Sequence, residues 1–194
     1  MTGDEILKVV KILAEYLVPT LKVFGFTLLY SVPLGMIVAL LKMCRIKPVS
    51  WLTNLYILIM RGTPLMLQVI VAYYVVPTLK SQDNLPSIIQ NILSNIDVKD
   101  ENYMFNAVLV AFVLNYAAYF AEIYRAGIES IPVGQYEAAQ VLGYSKAQTF
   151  VKIILPQVVK RVLPPVTNET ITLVKDTSMA FTISIAEMFT VAKQ

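Results

Sequence analysis

Residues 132–156 read PVGQYEAAQVLGYSKAQTFVKIILP, and this stretch predicts a helix, a glycine turn and a second helix. Pro132 suits the first turn of a helix, because the amide at that position has no partner inside the helix. Residues 135–142 are mostly good helix formers. Gly143 supplies the left-handed conformation with which many helices end.

The second helix of this pair begins with a recognisable cap. Ser145 stands three residues before Gln148, which is the spacing of a capping box. In that arrangement the serine hydroxyl and the glutamine side chain each accept a hydrogen bond from the other residue's backbone amide. The helix is expected to continue to about Leu155, where Pro156 breaks or kinks it. The predicted product is a compact, partly polar helical hairpin.

The composition of the chain indicates an integral membrane protein. Of the 194 residues, 57% are hydrophobic and 15% are charged, which is too apolar for an ordinary soluble domain. The net charge of +3 is small and the basic residues fall in loops, so no nucleic-acid partner is predicted. There is no histidine, and Cys44 is the only cysteine, which excludes disulfides, zinc sites and histidine-based triads. The glycines lack the spacing of a phosphate-binding loop, so no cofactor is predicted and nucleotide chemistry belongs to another chain.

Hydrophobic stretches predict where the chain crosses the lipid bilayer. Residues 23–41 are uncharged and long enough to cross the bilayer as a helix, and we interpret them as an uncleaved first span rather than a signal peptide. Residues 1–22 mix charges with apolar positions at helical spacing, which predicts a helix lying on the membrane. The spans are predicted at about 20–42, 62–80, 102–124 and 163–186.

The second hydrophobic stretch, residues 48–79, exceeds a single untilted span. It is predicted to split at Gly62-Thr63-Pro64, because proline disfavours helix at the preceding residue and lacks an amide donor. The two parts are a helix over 49–60 and a crossing over 64–79. The following loop is expected to contain a short amphipathic helix around Ile88 to Ile96.

Charges in the loops predict the orientation of the spans. Lys42, Arg45 and Lys47 follow the first span, whereas the loop 80–103 is mainly acidic. Because cytoplasmic loops carry an excess of basic residues, the first turn and Cys44 are expected inside and the second loop outside. The segment 125–161 is also mainly basic, so the hairpin is predicted to lie in the cytoplasm.

Two segments combine apolar length with polar side chains. Asn115, Tyr119 and Glu122 recur at i, i+4 and i+7, which places them on one helical face that turns away from lipid. This face either lines a transport path or holds helices together by hydrogen bonds. Residues 163–185 make a poor span by hydropathy because Glu169, Lys175 and Asp176 interrupt them, and a soluble connector is the alternative.

The hairpin residues resemble a family pattern. Glu-Ala-Ala, Gly and Ile-x-Leu-Pro at this spacing are similar to the cytoplasmic coupling loop of the membrane subunits of ABC importers, which docks on the ATPase. The matching residues are Glu137, Ala138, Ala139, Gly143, Ile153, Leu155 and Pro156. Arg61-Gly62-Thr63-Pro64 with Gln68 is similar to the signature of the polar amino acid permeases, of the histidine, glutamine, arginine and cystine kind. The alternative role for Arg61 is to extend to the lipid headgroups.

This resemblance implies an all-α, polytopic membrane helical bundle, the transmembrane domain of a type I ABC importer. Residues 1–194 would form one such domain with a coupling loop at 132–156, and one further C-terminal span of the family is apparently absent. The implied partners are two cytoplasmic ABC ATPase subunits, a second permease subunit, identical or homologous, an extracellular or periplasmic substrate-binding protein, and the lipid bilayer. The implied location is a prokaryotic plasma or inner membrane, with ATP hydrolysis on the separate subunit.

The resemblance also suggests a site for a polar amino acid substrate. Both charges of an amino acid must stay paired within a bilayer, since a bare charge there is costly. The candidates are Lys175 for the carboxylate, Glu122 or Asp176 for the ammonium group, and Gln68, Asn115 and Tyr119 for orientation. A purely structural pairing of Lys175 with Asp176 or Glu169 is the alternative. A secondary amino acid transporter and a membrane scaffold without transport are the alternative functions.

Overall fold

The computed structural model describes residues 3–82, 86–98, 100 and 102–177, with side chains from residue 17 onward. All regular structure in these ranges is helical. The elements are α1 Gly3–Lys42, α2 Lys47–Gly62, α3 Leu65–Lys80, α4 Ser87–Ser94, α5 Tyr103–Glu129, α6 Val133–Val141, α7 Lys146–Gln148, a π-helical segment Thr149–Ile154 and α8 Leu155–Asp176. This confirms the all-α prediction for the described part of the chain.

By length and composition, two helices are able to cross a membrane on their own, Leu17–Lys42 and Tyr103–Glu129. A third crossing is counted if the broken pair α2 and α3 forms one span. The fourth predicted span, at 163–186, begins inside α8, and its residues 178–186 lie outside the described ranges. The described part of α8 does not meet the same criterion, so that span stays a prediction.

The N-terminal prediction is corrected by the structure. Residues 3–42 form one uninterrupted α-helix, so the helix predicted to lie on the membrane over residues 1–22 is not a separate element. The charges in that segment are mostly lysine and glutamate, which favour helix as strongly as the apolar residues that follow them. Hydropathy therefore changes along α1 although the backbone conformation does not.

The predicted break in the second hydrophobic stretch is confirmed. Helix α2 ends at Gly62 and α3 begins at Leu65, with Pro64 in an extended conformation at the cap position. The short helix predicted in the following loop is also present, as α4. Pro64 has no amide hydrogen, so the last turn of α2 loses a donor at this break.

The chain divides into two compact units. One consists of the described parts of Met1–Leu29, Thr63–Val113 and Leu173–Gln194. The other consists of Tyr30–Gly62 and Leu114–Thr172, and it contains the hairpin and the second half of α5. In the latter unit Tyr116, Ala117, Phe120 and Ala121 are at most 1% exposed, which makes this part of α5 the centre of the packing.

Gly35 allows α1 and α5 to approach closely in this unit. A Cβ atom added at Gly35 would lie 2.7 Å from the Phe120 Cβ and 3.1 Å from the Ala117 carbonyl oxygen. Neither of those atoms is the end of a flexible side chain, so the helices themselves would have to move.

Gly35→Ala is therefore expected to lower the free energy of unfolding by about 1–3 kcal/mol, as overpacking does. The measurement is a denaturant titration of the purified chain in mixed micelles. Gly25→Ala on the same helix is the matched control, because a Cβ there meets nothing within 4 Å. Equal stabilities of the two variants would contradict the close approach.

Candidate functional site

The first helix of the hairpin ends in a Schellman motif. Gly143 has a φ of +80°, and no other residue in the described part of the chain has a positive φ. The Tyr144 amide donates to the Ala139 carbonyl at 3.0 Å, and the Gly143 amide donates to the Gln140 carbonyl at 3.0 Å. These are the two hydrogen bonds of the motif, so the predicted role of Gly143 as a helix stop is confirmed.

The predicted capping box at the start of the second helix is also present. The Gln148 amide donates to the Ser145 hydroxyl at 3.3 Å, and the Ser145 amide donates to the Gln148 side-chain oxygen at 3.0 Å. The two caps leave only Tyr144 between the glycine and the capping serine. The hairpin angle is therefore fixed by two backbone hydrogen bonds and two backbone-to-side-chain hydrogen bonds, all of them between residues 139 and 148.

The prediction that Pro156 breaks or kinks the second helix is wrong as to the break, and the kink stays a prediction. A π-helical segment, Thr149–Ile154, leads directly into α8, and Pro156 lies in the first turn of that helix. A wider π turn shifts the carbonyls that precede the proline, so the missing amide and the ring are accommodated without a break. The hairpin is consequently continuous with the helix that contains Lys175 and Asp176.

A small hydrophobic core holds the hairpin to the end of α5. Ile131, Ile154 and Val158 are buried together at 4%, 0% and 6% exposure. A Cβ added at Gly127 would lie 2.2 Å from Val162 Cγ1, so α5 and α8 are also in close contact one turn further on. The hairpin is therefore packed against both helices.

Opposite this core, the hairpin presents an exposed and partly apolar surface. Glu137 and Ala138 are exposed, whereas Ala139 is buried at 1%. Val141 and Leu142 are 88% and 73% exposed, although they lie outside both of the helices that are able to span a membrane alone. Of the other motif residues, Ile153 packs against the core while Leu155 and Pro156 are exposed.

Asn115 on α5 is 4% exposed and donates from Nδ2 to the Met60 carbonyl at 2.9 Å. In an uninterrupted helix that carbonyl would accept from the amide four residues later, which is at Pro64 and does not exist. Asn115 therefore satisfies a carbonyl that the proline break exposes. For this residue the structure favours the helix-holding role over the lining of a path.

Asn115→Leu is expected to lower the free energy of unfolding by about 1–3 kcal/mol, because the Met60 carbonyl loses its side-chain donor in a buried position. Unfolding in mixed micelles measures this. Asn54→Leu is the matched control, since Asn54 is exposed on α2 and its loss is expected to cost about 0.5 kcal/mol or less. A loss at Asn115 no larger than that at Asn54 would refute the role.

Tyr119 lies one turn further along the same face and faces a cation. The Arg61 guanidinium carbon is 5.1 Å from the centroid of the Tyr119 ring, which is within cation–π range. Arg61 is itself exposed. The arginine of the Arg61-Gly62-Thr63-Pro64 signature is thus held next to the polar face of α5.

Glu122 is the most strongly paired residue of this face. Its carboxylate accepts from Lys42 at the end of α1 and from Arg125 on its own helix, with Arg125 Nη2 at 2.8 Å from Oε2. Arg125 also pairs with Glu129. The Lys42 and Glu122 side chains are 19% and 15% exposed, so the pair is largely removed from water. Both oxygens of Glu122 are therefore engaged by the protein's own cations.

Two open clefts, of about 350 and 440 Å³, meet at Arg61 and Glu122. Lys42 and Asn54 also line the first, and Ser130 and Arg161 also line the second. The Arg161 guanidinium donates to the Ser130 carbonyl at 2.5 Å. These clefts provide polar lining on either side of the Arg61 side chain.

The remaining predicted substrate residues belong to the other unit. Gln68 is half-buried and donates from Nε2 to the Thr63 hydroxyl at 2.8 Å. This hydrogen bond connects the first turn of α3 to the residue that precedes Pro64. Lys175 is exposed and Asp176 is half-buried in the last turn of α8. The structure thus gathers Asn115, Tyr119 and Glu122 on one face of α5, whereas Gln68, Lys175 and Asp176 belong to the other unit.

Sequence reasoning did not assign Lys42 or Arg125 to this site. Lys42 is 80 positions from Glu122, so no local pattern links them. Arg125 could have been predicted from the sequence, because it stands three residues after Glu122 and four before Glu129, which are the spacings of helical ion pairs. Within the described ranges, no group of three or more His, Cys, Asp or Glu side chains is able to hold a metal ion.

Comparison with known families identifies the protein class. Residues 31–194 match the family of binding-protein-dependent transport system inner membrane components. The chain belongs to this family. Its hairpin, with the glycine stop and the exposed Glu137, lies within the matched residues.

Several characterised relatives are transport permeases. The L-cystine transport system permease proteins TcyB and TcyL of Bacillus subtilis are 34% and 36% identical to the chain, over 86% and 97% of its length. The glutamate/aspartate import permease protein GltK of Escherichia coli O157:H7 is 32% identical over 93%. The chain spans 63% of TcyB, 72% of TcyL and 75% of GltK.

A solved structure supports the same fold. The chain is similar to a crystal structure of an amino acid ABC transporter with histidines, with a TM-score of 0.74 and 31% identity. The similarity covers 95% of this chain and 77% of that one. This confirms the predicted helical membrane bundle of an ABC transporter permease.

Proposed function

We propose that this chain is a permease subunit of an ATP-driven importer of polar amino acids. The observation that carries the proposal is the hairpin, which combines a rigid double cap, an exposed Glu137 and an exposed apolar tip at Val141 and Leu142. Exposed apolar patches outside the membrane mark contacts with a partner protein. The relatives described above are permeases for cystine and for glutamate or aspartate, which supports an amino acid as the substrate.

The partner that this hairpin fits is a cytoplasmic ATPase. Because α5, the hairpin and α8 pack around Ile131, Ile154 and Val158, a force on the hairpin moves two helices together. ATP would be hydrolysed on two such partner subunits, and this chain would convert their closure into a rearrangement of its helices. A second permease subunit completes the path, and an external binding protein supplies the substrate. The complex belongs in the plasma or inner membrane of a prokaryote.

The substrate site is proposed among the polar residues of the membrane helices. Lys175 is the candidate for the substrate carboxylate, and Glu122 or Asp176 is the candidate for the ammonium group. Tyr119 with Arg61, and Gln68, would orient the side chain of the substrate. Asn115 supports these residues by holding α2 to α5.

The proposal is tested by reconstituting the chain with its ATPase and binding protein in proteoliposomes. Uptake of labelled cystine, arginine and glutamate is measured with and without ATP inside the vesicles. Uptake of one of these substrates that requires both ATP and the binding protein is the expected result. Uptake without ATP would indicate a secondary transporter, and a chain that captures no ATPase and moves no substrate would be a scaffold.

Lys175→Met is expected to abolish uptake and substrate-stimulated ATP hydrolysis while assembly and basal hydrolysis remain. The lysine supplies the positive charge that a carboxylate needs in a site of low dielectric constant. Lys160→Met is the matched control, because Lys160 is an exposed lysine on the same helix. Failure of the Lys175 variant to assemble, or an unchanged substrate affinity, would show that Lys175 is a structural ion-pair member.

A further inference from the structure

The loop between α1 and α2 borders a third open cleft, of about 460 Å³. Its charged lining residues are Lys42, Arg45, Lys47, Arg125 and Glu129. Lys42 and Arg125 are paired with Glu122 and Glu129. No ion pair is found for Arg45 or Lys47 within the described ranges, and both side chains are exposed. Together with Glu122, which pairs with Lys42 from outside the cleft, two acidic residues offset two of the four basic ones, which leaves an excess of two positive charges.

This cleft lies at the level where two apolar helices end. The candidate span Leu17–Lys42 stops at Lys42, and the candidate span Tyr103–Glu129 stops at Glu129, and both residues line the cleft. Side chains at the ends of membrane spans meet the phosphate groups of the lipids. The two unpaired cations are therefore placed at the depth of the headgroups.

The rim of the cleft is apolar on the side of α2. Trp51, the one tryptophan in the sequence, lines the cleft and is 65% exposed, and Met43 beside it is 40% exposed. Ile46 in the same loop is 58% exposed. Tryptophan favours the boundary between lipid chains and headgroups, because its ring is apolar and its N–H is polar.

The loop that carries the two cations is held in place. The Ser50 hydroxyl donates to the Lys42 carbonyl at 2.7 Å, and the Ser50 amide donates to the Ile46 carbonyl at 3.1 Å. These bonds tie the first turn of α2 to the end of α1. A ligand that pairs with Arg45 and Lys47 therefore meets a loop of defined shape, and the positive end of the 16-residue helix α2 adds to the attraction for an anion.

We propose that this cleft is a binding site for the headgroup of an anionic phospholipid. Arg45 and Lys47 contact the phosphodiester, and Trp51 lies against the glycerol and the upper part of the acyl chains. Free phosphate has the same charge chemistry, but it would leave the apolar rim formed by Trp51 and Met43 without a contact. The lipid is therefore the ligand that uses both parts of the cleft.

The experiment uses the single tryptophan as the probe. The full chain is reconstituted in phosphatidylcholine vesicles that contain a few per cent of either phosphatidylglycerol or phosphatidylcholine with brominated acyl chains, and quenching of Trp51 fluorescence is recorded. Each basic side chain near an anionic surface strengthens binding by about fivefold, so with Arg45 and Lys47 together brominated phosphatidylglycerol is expected to quench at roughly 25-fold lower content than brominated phosphatidylcholine. High salt should reduce this preference.

Paired variants assign the preference to the cleft. Arg45→Gln with Lys47→Gln is expected to remove it, and this change breaks no described ion pair. Lys146→Gln with Lys160→Gln removes the same charge from the hairpin region and should leave the preference unchanged. Equal quenching by both lipids in the unmodified chain, or loss of the preference in the control, would overturn the proposal. Displacement of the lipid by millimolar glycerol phosphate would also overturn it, because the cleft would then bind phosphate without regard to the membrane.

Discussion

Gly143→Val is expected to abolish substrate-stimulated ATP hydrolysis in the assembled importer while the chain still inserts in the membrane. Gly143 has a φ of +80°, which a β-branched residue resists at a cost of roughly 1 kcal/mol or more. Escape from that strain breaks the Schellman motif, and the helices on either side of the turn then change their angle. The measurement is ATP turnover in proteoliposomes with and without substrate.

The hairpin offers a clean control for this prediction. A Cβ added at Gly143 meets nothing within 4 Å, so size alone does not harm the site. Gly143→Asn therefore adds a side chain of similar bulk that tolerates the left-handed conformation, and it should retain most of the stimulation. Equal loss in both variants would show that the exposed surface, rather than the backbone turn, is what the partner requires. Normal stimulation in both would refute the coupling role.

The hairpin was predictable because its structure is local. The Gly143 stop and the box formed by Ser145 and Gln148 each depend on residues within six positions, and both are present as predicted. The break at Pro64 was predictable for the same reason, since the ring acts on its own helix and on the residue before it.

Pro156 shows where a local rule fails. The rule assumes an α-helix before the proline, but the preceding six residues form a π segment that removes the conflict. Nothing in the residue types of 149–154 indicates this change. Ile154, the last residue of the π segment, is buried with Ile131 and Val158, and a rule that considers only the proline and its sequence neighbours does not include such contacts.

The polar face of α5 shows a different limit of prediction from the sequence. Its periodicity correctly indicated that Asn115, Tyr119 and Glu122 turn inward together, but it gave no information on their partners. Asn115 meets a carbonyl 55 residues away, and Glu122 meets a lysine 80 residues away. Whether a polar face binds substrate or holds helices depends on those partners, so the choice required the structure.

Neutralising Glu122 is expected to have the second large effect, and the effect should depend on Lys42. Glu122→Gln leaves Lys42 and Arg125 without their shared carboxylate in a largely buried position, and breaking such a pair from one side is strongly destabilising. Lys42→Met removes one of the cations that the glutamate must satisfy. The two changes together are therefore expected to cost less than the sum of the single changes.

The measurement is a double-mutant cycle on the free energy of unfolding in mixed micelles, with uptake recorded for the same variants. A coupling energy of about 1–3 kcal/mol between Lys42 and Glu122 is expected, since residues within one ion-pair network couple by this amount. Glu122→Gln combined with Lys146→Met is the control, and these changes should add, because Lys146 lies exposed on the hairpin.

Uptake then separates the structural role of Glu122 from contact with substrate. A structural glutamate predicts that the Lys42→Met and Glu122→Gln double variant transports better than Glu122→Gln alone, because the unpaired lysine is gone and the helices regain their packing. A glutamate that binds the substrate ammonium group predicts instead the same raised KM with either residue at position 42, and no coupling in stability. The engagement of both Glu122 oxygens by Lys42 and Arg125 favours the first result. The ammonium group would then be bound elsewhere, with Asp176 as the candidate carboxylate.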